Sequence, residues 1–205
     1  TLELFGGGPS GELAVPAELP PALSRLTFRE LAQRAAGEPL ALSRADAGAI
    51  LALGGPGGSR SLDLGGGLTA TVEYGTLRFR RGGEEPLPDA AVPLPVPGVA
   101  RFGAWRVEAC PGAGEALVSA RALAGALTVR GWREGDRMRP VGLGGTKTLQ
   151  DLFTDRKVPR ALRRSLPIVE AQEGIVWVAG LALDERFAAA SGDPQPIGLS
   201  ARRVR

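Results

Sequence analysis

Glycine and proline set the outer limits of what this chain can fold into. It holds 30 glycines and 17 prolines among 205 residues, nearly a quarter of its length. Glycine raises the entropic cost of ordering backbone, and proline cannot continue a helix or a central strand. Long uninterrupted helices are therefore disfavoured, and frequent turns are expected. With 43% hydrophobic and 23% charged residues, the chain can still bury a core, as one large domain or two small ones.

The expected class is α+β. Residues 1–20 read as a loose, Gly- and Pro-rich entry. From Pro21, ALSRLTFRELAQRAAG has helical periodicity, with Leu23, Leu26, Leu31 and Ala35 as its apolar positions and Gly37 and Pro39 as its stop. A second helix follows, capped by Ser43 and ended by Gly54, with Ile50, Leu51 and Leu53 apolar. The loop GGPGGSR then leads into SLDLGGGLTATVEYGTLRFRR, where Leu62, Leu64, Leu68, Ala70, Val72, Leu77 and Phe79 fall at period two. The first domain, residues 1–83, is thus a small helix-plus-β-hairpin unit.

Five prolines fall in the stretch 84–98, which favours extended backbone and reads as a semi-rigid linker. Residues 99–205 then form a β-rich domain of short strands. Thr148 with Asp151 has the spacing of a capping box, ahead of an apolar stripe at Leu149, Leu152 and Phe153. Pro159 suits the start of a second short helix, which would carry Arg160, Arg163 and Arg164 outward and Leu162 and Leu166 inward. PIVEAQEGIVWVAGL reads as a hairpin turning at Gln172–Gly174, with Trp177 in the core.

Charge is distributed unevenly. Between Val129 and Arg164 stand ten basic and four acidic residues, a balance of +6, against +3 for the whole chain. A basic cluster on a slightly acidic body is the footprint of a polyanion site. The candidate contacts are Arg130, Arg133, Arg137, Arg139, Lys147, Lys157, Arg160, Arg163 and Arg164. Trp132, beside Arg133, is the candidate exposed aromatic.

Catalytic chemistry is hard to place in this chain. It has no histidine and one cysteine, Cys110, so the usual general base, a disulfide framework and an all-cysteine zinc site are excluded. Cys110 lies in a strand-like run with nothing to activate it. GLGGTKT lacks the glycine that a phosphate loop places before its lysine. Asp136, Asp151 and Asp155 could serve a carboxylate enzyme, but Asp136 is better suited to ordering its loop. No catalytic, cofactor or metal residue is assigned. No apolar run approaches the roughly 20 residues of a membrane span, and a cytoplasmic location is expected. The start at Thr1 fits a fragment or processed product.

The ordered series VRGWREGDRMRPVGLGGTKTLQDLFTDRKVPRALRRSLPIV, followed by GIVWVAGL, resembles the C-terminal domain of bacterial tRNA(Ile)-lysidine synthetase. The matching pieces are the GDR…P-G turn, the leucine-phenylalanine helix, the K-V-P-R step and the P-I-V…W-V-A-G hairpin. SLDLGGGLTATVEYGTLRF and the helices before it are similar to that family's middle, substrate-recognition domain. Where the family tends to carry consecutive lysines, this chain has Thr146, Lys147 and Thr148, and Gln150 replaces a further lysine. The SGG-x-D-S loop of the family's nucleotide-binding domain does not occur in these residues.

The resemblance implies a β-sandwich-like last domain with short helices, related to a domain of phenylalanyl-tRNA synthetase. It also implies a function. The family uses ATP to adenylate the wobble cytidine of an isoleucine tRNA, and lysine then displaces AMP to give lysidine. These residues would grip the tRNA body near the acceptor stem. ATP and magnesium would be bound by an N-terminal domain that is itself a partner, and a homodimer is left open. The alternative is a stand-alone RNA- or polyanion-binding module without enzymatic role.

Overall fold

The computed structural model describes residues 12–14, 21–54, 58–82, 90–123 and 125–204. They fall into two compact units, Gly6–Glu84 and Glu85–Arg205. The expected entry apart from 12–14, residues 55–57 of the GGPGGSR loop and residues 84–89 of the expected linker lie outside the described residues.

The first unit contains β1 (Glu12–Ala14), α1 (Pro21–Ala36), α2 (Arg44–Leu53), β2 (Arg60–Asp63), β3 (Leu68–Glu73) and β4 (Thr76–Arg81). Its four strands form one antiparallel sheet in the order β1-β4-β3-β2. Ser43 caps α2 with a full capping box: its side chain accepts from the Asp46 N–H, and the Asp46 carboxylate accepts from the Ser43 N–H. The β3–β4 turn is Tyr74-Gly75, both with positive φ, the two-residue turn whose twist suits a hairpin. Alternation along β3 and β4 sends Leu68, Ala70, Val72, Leu77 and Phe79 into one core with Phe28, Leu31, Ala32, Ala35, Ala47 and Ile50. Two expectations change here. Glu12–Ala14, assigned to the loose entry, is an edge strand paired with β4. Leu23 and Leu26 are 51% and 56% exposed, because α1 turns Ser24, Phe28, Leu31, Ala32 and Ala35 inward instead.

The second unit contains β5 (Val92–Leu94), β6 (Gly98–Phe102), β7 (Trp105–Pro111), β8 (Ala116–Ser119), β9 (Leu127–Arg130), β10 (Arg137–Met138) and β11 (Lys147–Thr148). Then come α3 (Leu149–Asp155), α4 (Arg160–Arg163), β12 (Ile168–Ala171), β13 (Gly174–Val178), β14 (Ala182–Leu183) and β15 (Pro196–Arg203). Two antiparallel sheets, β14-β13-β12-β9-β5 and β6-β7-β15-β8, bury their apolar positions in one shared core. In β13, Ile175, Val176, Trp177 and Val178 are all buried, so both faces of that strand are covered. Leu149, Leu152 and Phe153 of α3 join the same core. Mixed α+β architecture with a predominance of sheet is the result.

The stretch expected as a linker up to residue 98 ends sooner. Val92–Leu94 pairs with β9, and Gly98 already opens β6. Pro93 is tolerated because β5 lies at the sheet edge, where one side of the strand needs no N–H donor.

Candidate nucleic-acid interface

The basic segment folds as one connected module between β9 and β12. At its base lies Arg130, 3% exposed. Its Nε and Nη2 donate to Glu170 at 2.7 Å each, and Nη1 and Nη2 donate to Asp136 at 2.7 and 3.0 Å. Nη1 also donates to the Gly131 carbonyl at 3.0 Å. A guanidinium has five N–H donors, and all five are engaged. Burial disfavours the charge, but the bonds to Glu170 and Asp136 outweigh it, and the group is held protonated more firmly than an ordinary arginine.

Asp136 does what loop ordering requires. Besides holding Arg130, it accepts from the Arg133 N–H at 2.8 Å, while its own N–H donates to the Arg133 carbonyl at 3.2 Å. Gly135 closes this turn at φ 86°. The Asp136 carbonyl then accepts from the Leu149 N–H at 2.9 Å, which docks the start of α3 on the turn. Thr148 caps α3 through the Asp151 N–H at 3.1 Å. The reciprocal bond runs from the Thr148 hydroxyl to the Asp151 carboxylate rather than to the cap backbone.

α3 ends in a Schellman motif: the Lys157 N–H donates to Thr154 O at 3.0 Å and the Val158 N–H to Phe153 O at 2.7 Å. Lys157 occupies the left-handed position at φ 53°, where glycine is usual. A Cβ on Gly131 would lie 2.9 Å from the Arg164 carbonyl, so the end of β9 runs directly under the end of α4.

The nine candidate contacts separate on this geometry. Arg133, Arg137, Arg139, Lys157 and Arg164 are exposed, and among the described residues their side chains have no hydrogen bond or ion pair. Arg160 is also exposed. Lys147 is half-buried and ion-paired with Asp155. Two assignments are corrected. Arg130 is buried and fully engaged, with no donor left for a phosphate. Arg163, expected to point outward, is buried: its Nε donates to Val158 O at 3.1 Å and its guanidinium lies 5.8 Å from the Phe153 ring centre. The turn that ends α3 brings the Val158 carbonyl and the Phe153 ring beside α4, and these hold the Arg163 side chain inward.

Trp132 is corrected as well. It is half-buried, edge-to-face on Phe153 with ring centres 5.9 Å apart, and forms part of the packing under the module. Arg156, counted in the basic cluster but left out of the candidate contacts, is exposed and has no side-chain partner among the described residues. Its place as the C-cap of α3 was the available signal, since basic residues favour that end. Cys110 is partly buried, its thiol donating to Ala113 O at 3.0 Å. Among the described residues no group of three or more His, Cys, Asp or Glu could hold a metal ion, and no helix is long and apolar enough to cross a membrane.

Comparison with known proteins first defines the class. Residues 127–197, which contain the whole basic module, match the family model described as "TilS substrate C-terminal domain". A solved structure described as "Crystal structure of TILS C-terminal domain" is 32% identical with a TM-score of 0.51, covering 57% of this chain and 98% of that one. The tRNA(Ile)-lysidine synthase of Symbiobacterium thermophilum is 34% identical over 202 residues, covering 90% of this chain and 42% of that protein. That of Geobacillus kaustophilus is 34% identical over 179 residues, covering 80% of this chain and 38% of that protein. The chain belongs to the tRNA(Ile)-lysidine synthase family. It spans less than half the length of these curated relatives.

Proposed function

We propose that these residues are the tRNA-gripping portion of an enzyme that converts the wobble cytidine of tRNA(Ile) to lysidine with ATP and lysine. The observation that carries this reading is the set of exposed cations on the module that have no side-chain partner among the described residues: Arg133, Arg137, Arg139, Arg156, Lys157 and Arg164. A cation with no internal partner is available to displace counterions from a phosphate backbone. Such contacts position RNA and read its shape more than its bases.

In this reading the C-terminal unit holds the tRNA body near the acceptor stem, and its two-sheet fold is kin to the domain of phenylalanyl-tRNA synthetase. The helices and hairpin of the first unit add weaker contacts. ATP and magnesium are handled by the family's nucleotide-binding domain, the functional partner of these residues, and not by side chains described above.

The test is binding by this 205-residue chain to tRNA(Ile) carrying a CAU anticodon and to initiator tRNA(Met) over a salt series. A steep salt slope with preference for tRNA(Ile) places substrate choice in these units. A steep slope without preference leaves them as an electrostatic grip. Absence of binding would overturn the proposal.

A further inference from the structure

The loop joining β10 to β11 holds two aliphatic side chains in solvent. Val141 is 54% exposed and Leu143 50%. The loop that carries them is anchored. Pro140 bridges to Asp184, and the Val141 N–H donates to Leu183 O at 2.9 Å. The Arg139 N–H donates to the Asp184 carboxylate at 2.8 Å, and the Leu143 N–H to Pro140 O at 3.1 Å. Held this way, the two side chains cannot fold back into the core, and water meets them in the unbound protein.

Their neighbours indicate what covers them. From Arg137 to Val141 burial alternates strictly, with Met138 and Pro140 inward and Arg137, Arg139 and Val141 outward. Period two therefore puts two guanidiniums and an aliphatic side chain on one solvent face. Residues two apart on a strand are about 6.6 Å apart, comparable to the step between successive phosphates of one RNA strand. Two acids close to this face are committed elsewhere, Asp136 to Arg130 and Asp184 to Arg186, while Glu185, whose N–H donates to Arg139 O at 2.8 Å, is exposed beside the stripe. The stripe thus offers two guanidiniums without an ion pair among the described residues, followed by an apolar tip.

Resting on the tRNA-binding reading above, we propose that this stripe docks on duplex RNA across its minor groove. Arg137 and Arg139 pair with phosphates of one strand, and Val141 and Leu143 pack against ribose and base edges. The A-form minor groove is wide and shallow enough to admit such a tip, whereas that of B-form DNA is narrow. Aliphatic side chains suit this edge-on packing, while stacking on splayed bases would call for an exposed aromatic.

The experiment compares the wild-type chain with a Val141→Ser/Leu143→Ser variant on an RNA hairpin, on a DNA hairpin of the same sequence and on tRNA(Ile), over a salt series. Both side chains are already half in water, and thermal melting checks that the fold is unchanged. Val141→Thr, nearly isosteric, repeats the test if the double variant melts early.

The expected result is about tenfold weaker binding to the RNAs, an unchanged salt slope and unchanged DNA binding. Equal RNA affinity would overturn the proposal and leave the tRNA-binding reading standing, as would equal losses on RNA and DNA. Wild-type self-association abolished by the variant, with RNA affinity intact, would make the tip a contact between copies and overturn it too. Failure of the wild-type chain to bind any tRNA would instead sink the tRNA-binding reading itself.

Discussion

Arg130 and Glu170, forty residues apart in the chain, meet in a two-pronged ion pair with both bonds at 2.7 Å. The same guanidinium clasps Asp136 on its other side. It thereby fixes the turn that carries Arg133 to strand β12. Bidentate pairs of this kind are directional as well as strong.

Arg130→Met should accordingly destabilise the fold by about 3 kcal/mol, because Asp136 and Glu170 would be left facing each other without their shared cation. Arg130→Lys should recover only part of the loss, since a lysine cannot present a planar fork. Urea denaturation of both variants measures this. A loss near zero for Arg130→Met would mean that the network does not hold the turn.

Salt dependence should sort the arginines. Arg137→Ala and Arg164→Ala should each reduce the tRNA-binding salt slope by about one unit or less with little change in melting temperature. Arg163→Ala should do the opposite: the slope stays, and stability falls through lost contacts with Phe153 and Val158. Binding titrations paired with melting curves separate the two classes.

Lys157 holds a left-handed backbone conformation at the end of α3. Glycine adopts that conformation without the Cβ clash, so Lys157→Gly should stabilise the domain by about 1 kcal/mol. If Lys157 contacts phosphate, the same change should weaken tRNA binding. Higher stability with lower affinity is the expected pair of readings, from denaturation and titration of one variant.

Acid should act through Asp184. Burial alone would raise its pKa, but the Arg186 guanidinium and the N–H groups of Arg139 and Arg186 outweigh burial and hold the carboxyl below its ordinary value. A lowered folded pKa contributes stability that is present above the unfolded value of about 3.9 and is lost as pH falls through the folded value. Asp184→Asn should be less stable than wild type at pH 7, by about 2 kcal/mol, with the gap closing as the pH drops below about 4. Urea midpoints between neutral and acid pH provide the check.

Gly198 leaves no room for a side chain: a Cβ there would fall 1.8 Å from the Ala113 carbonyl oxygen. Gly198→Ala should therefore displace the Ala113–Gly114 backbone from β15 and cost about 3 kcal/mol. A melting temperature within a degree of wild type would show that the strand yields more easily than its packing implies.

Much of the architecture was legible because its causes are local. Ser43 and Asp46 cap α2, Thr148 caps α3 and Gly37 ends α1 within a few residues of the elements they bound. The alternation in β3 and β4 shows in the run from Leu68 to Phe79. The charge excess between Val129 and Arg164 is a property of composition alone, and the order of motifs through that segment was enough to indicate the family. Tertiary structure decided which of those cations are available. Arg130 is withdrawn by Glu170 from a distant strand, and Arg163 by the ring of Phe153 on the preceding helix. Leu23 and Leu26 face water while Phe28 is buried, and Pro93 stands in a sheet edge because β9 comes to meet it. Burial and pairing depend on what the rest of the chain brings within a few ångströms, and no window of neighbouring residues contains that information.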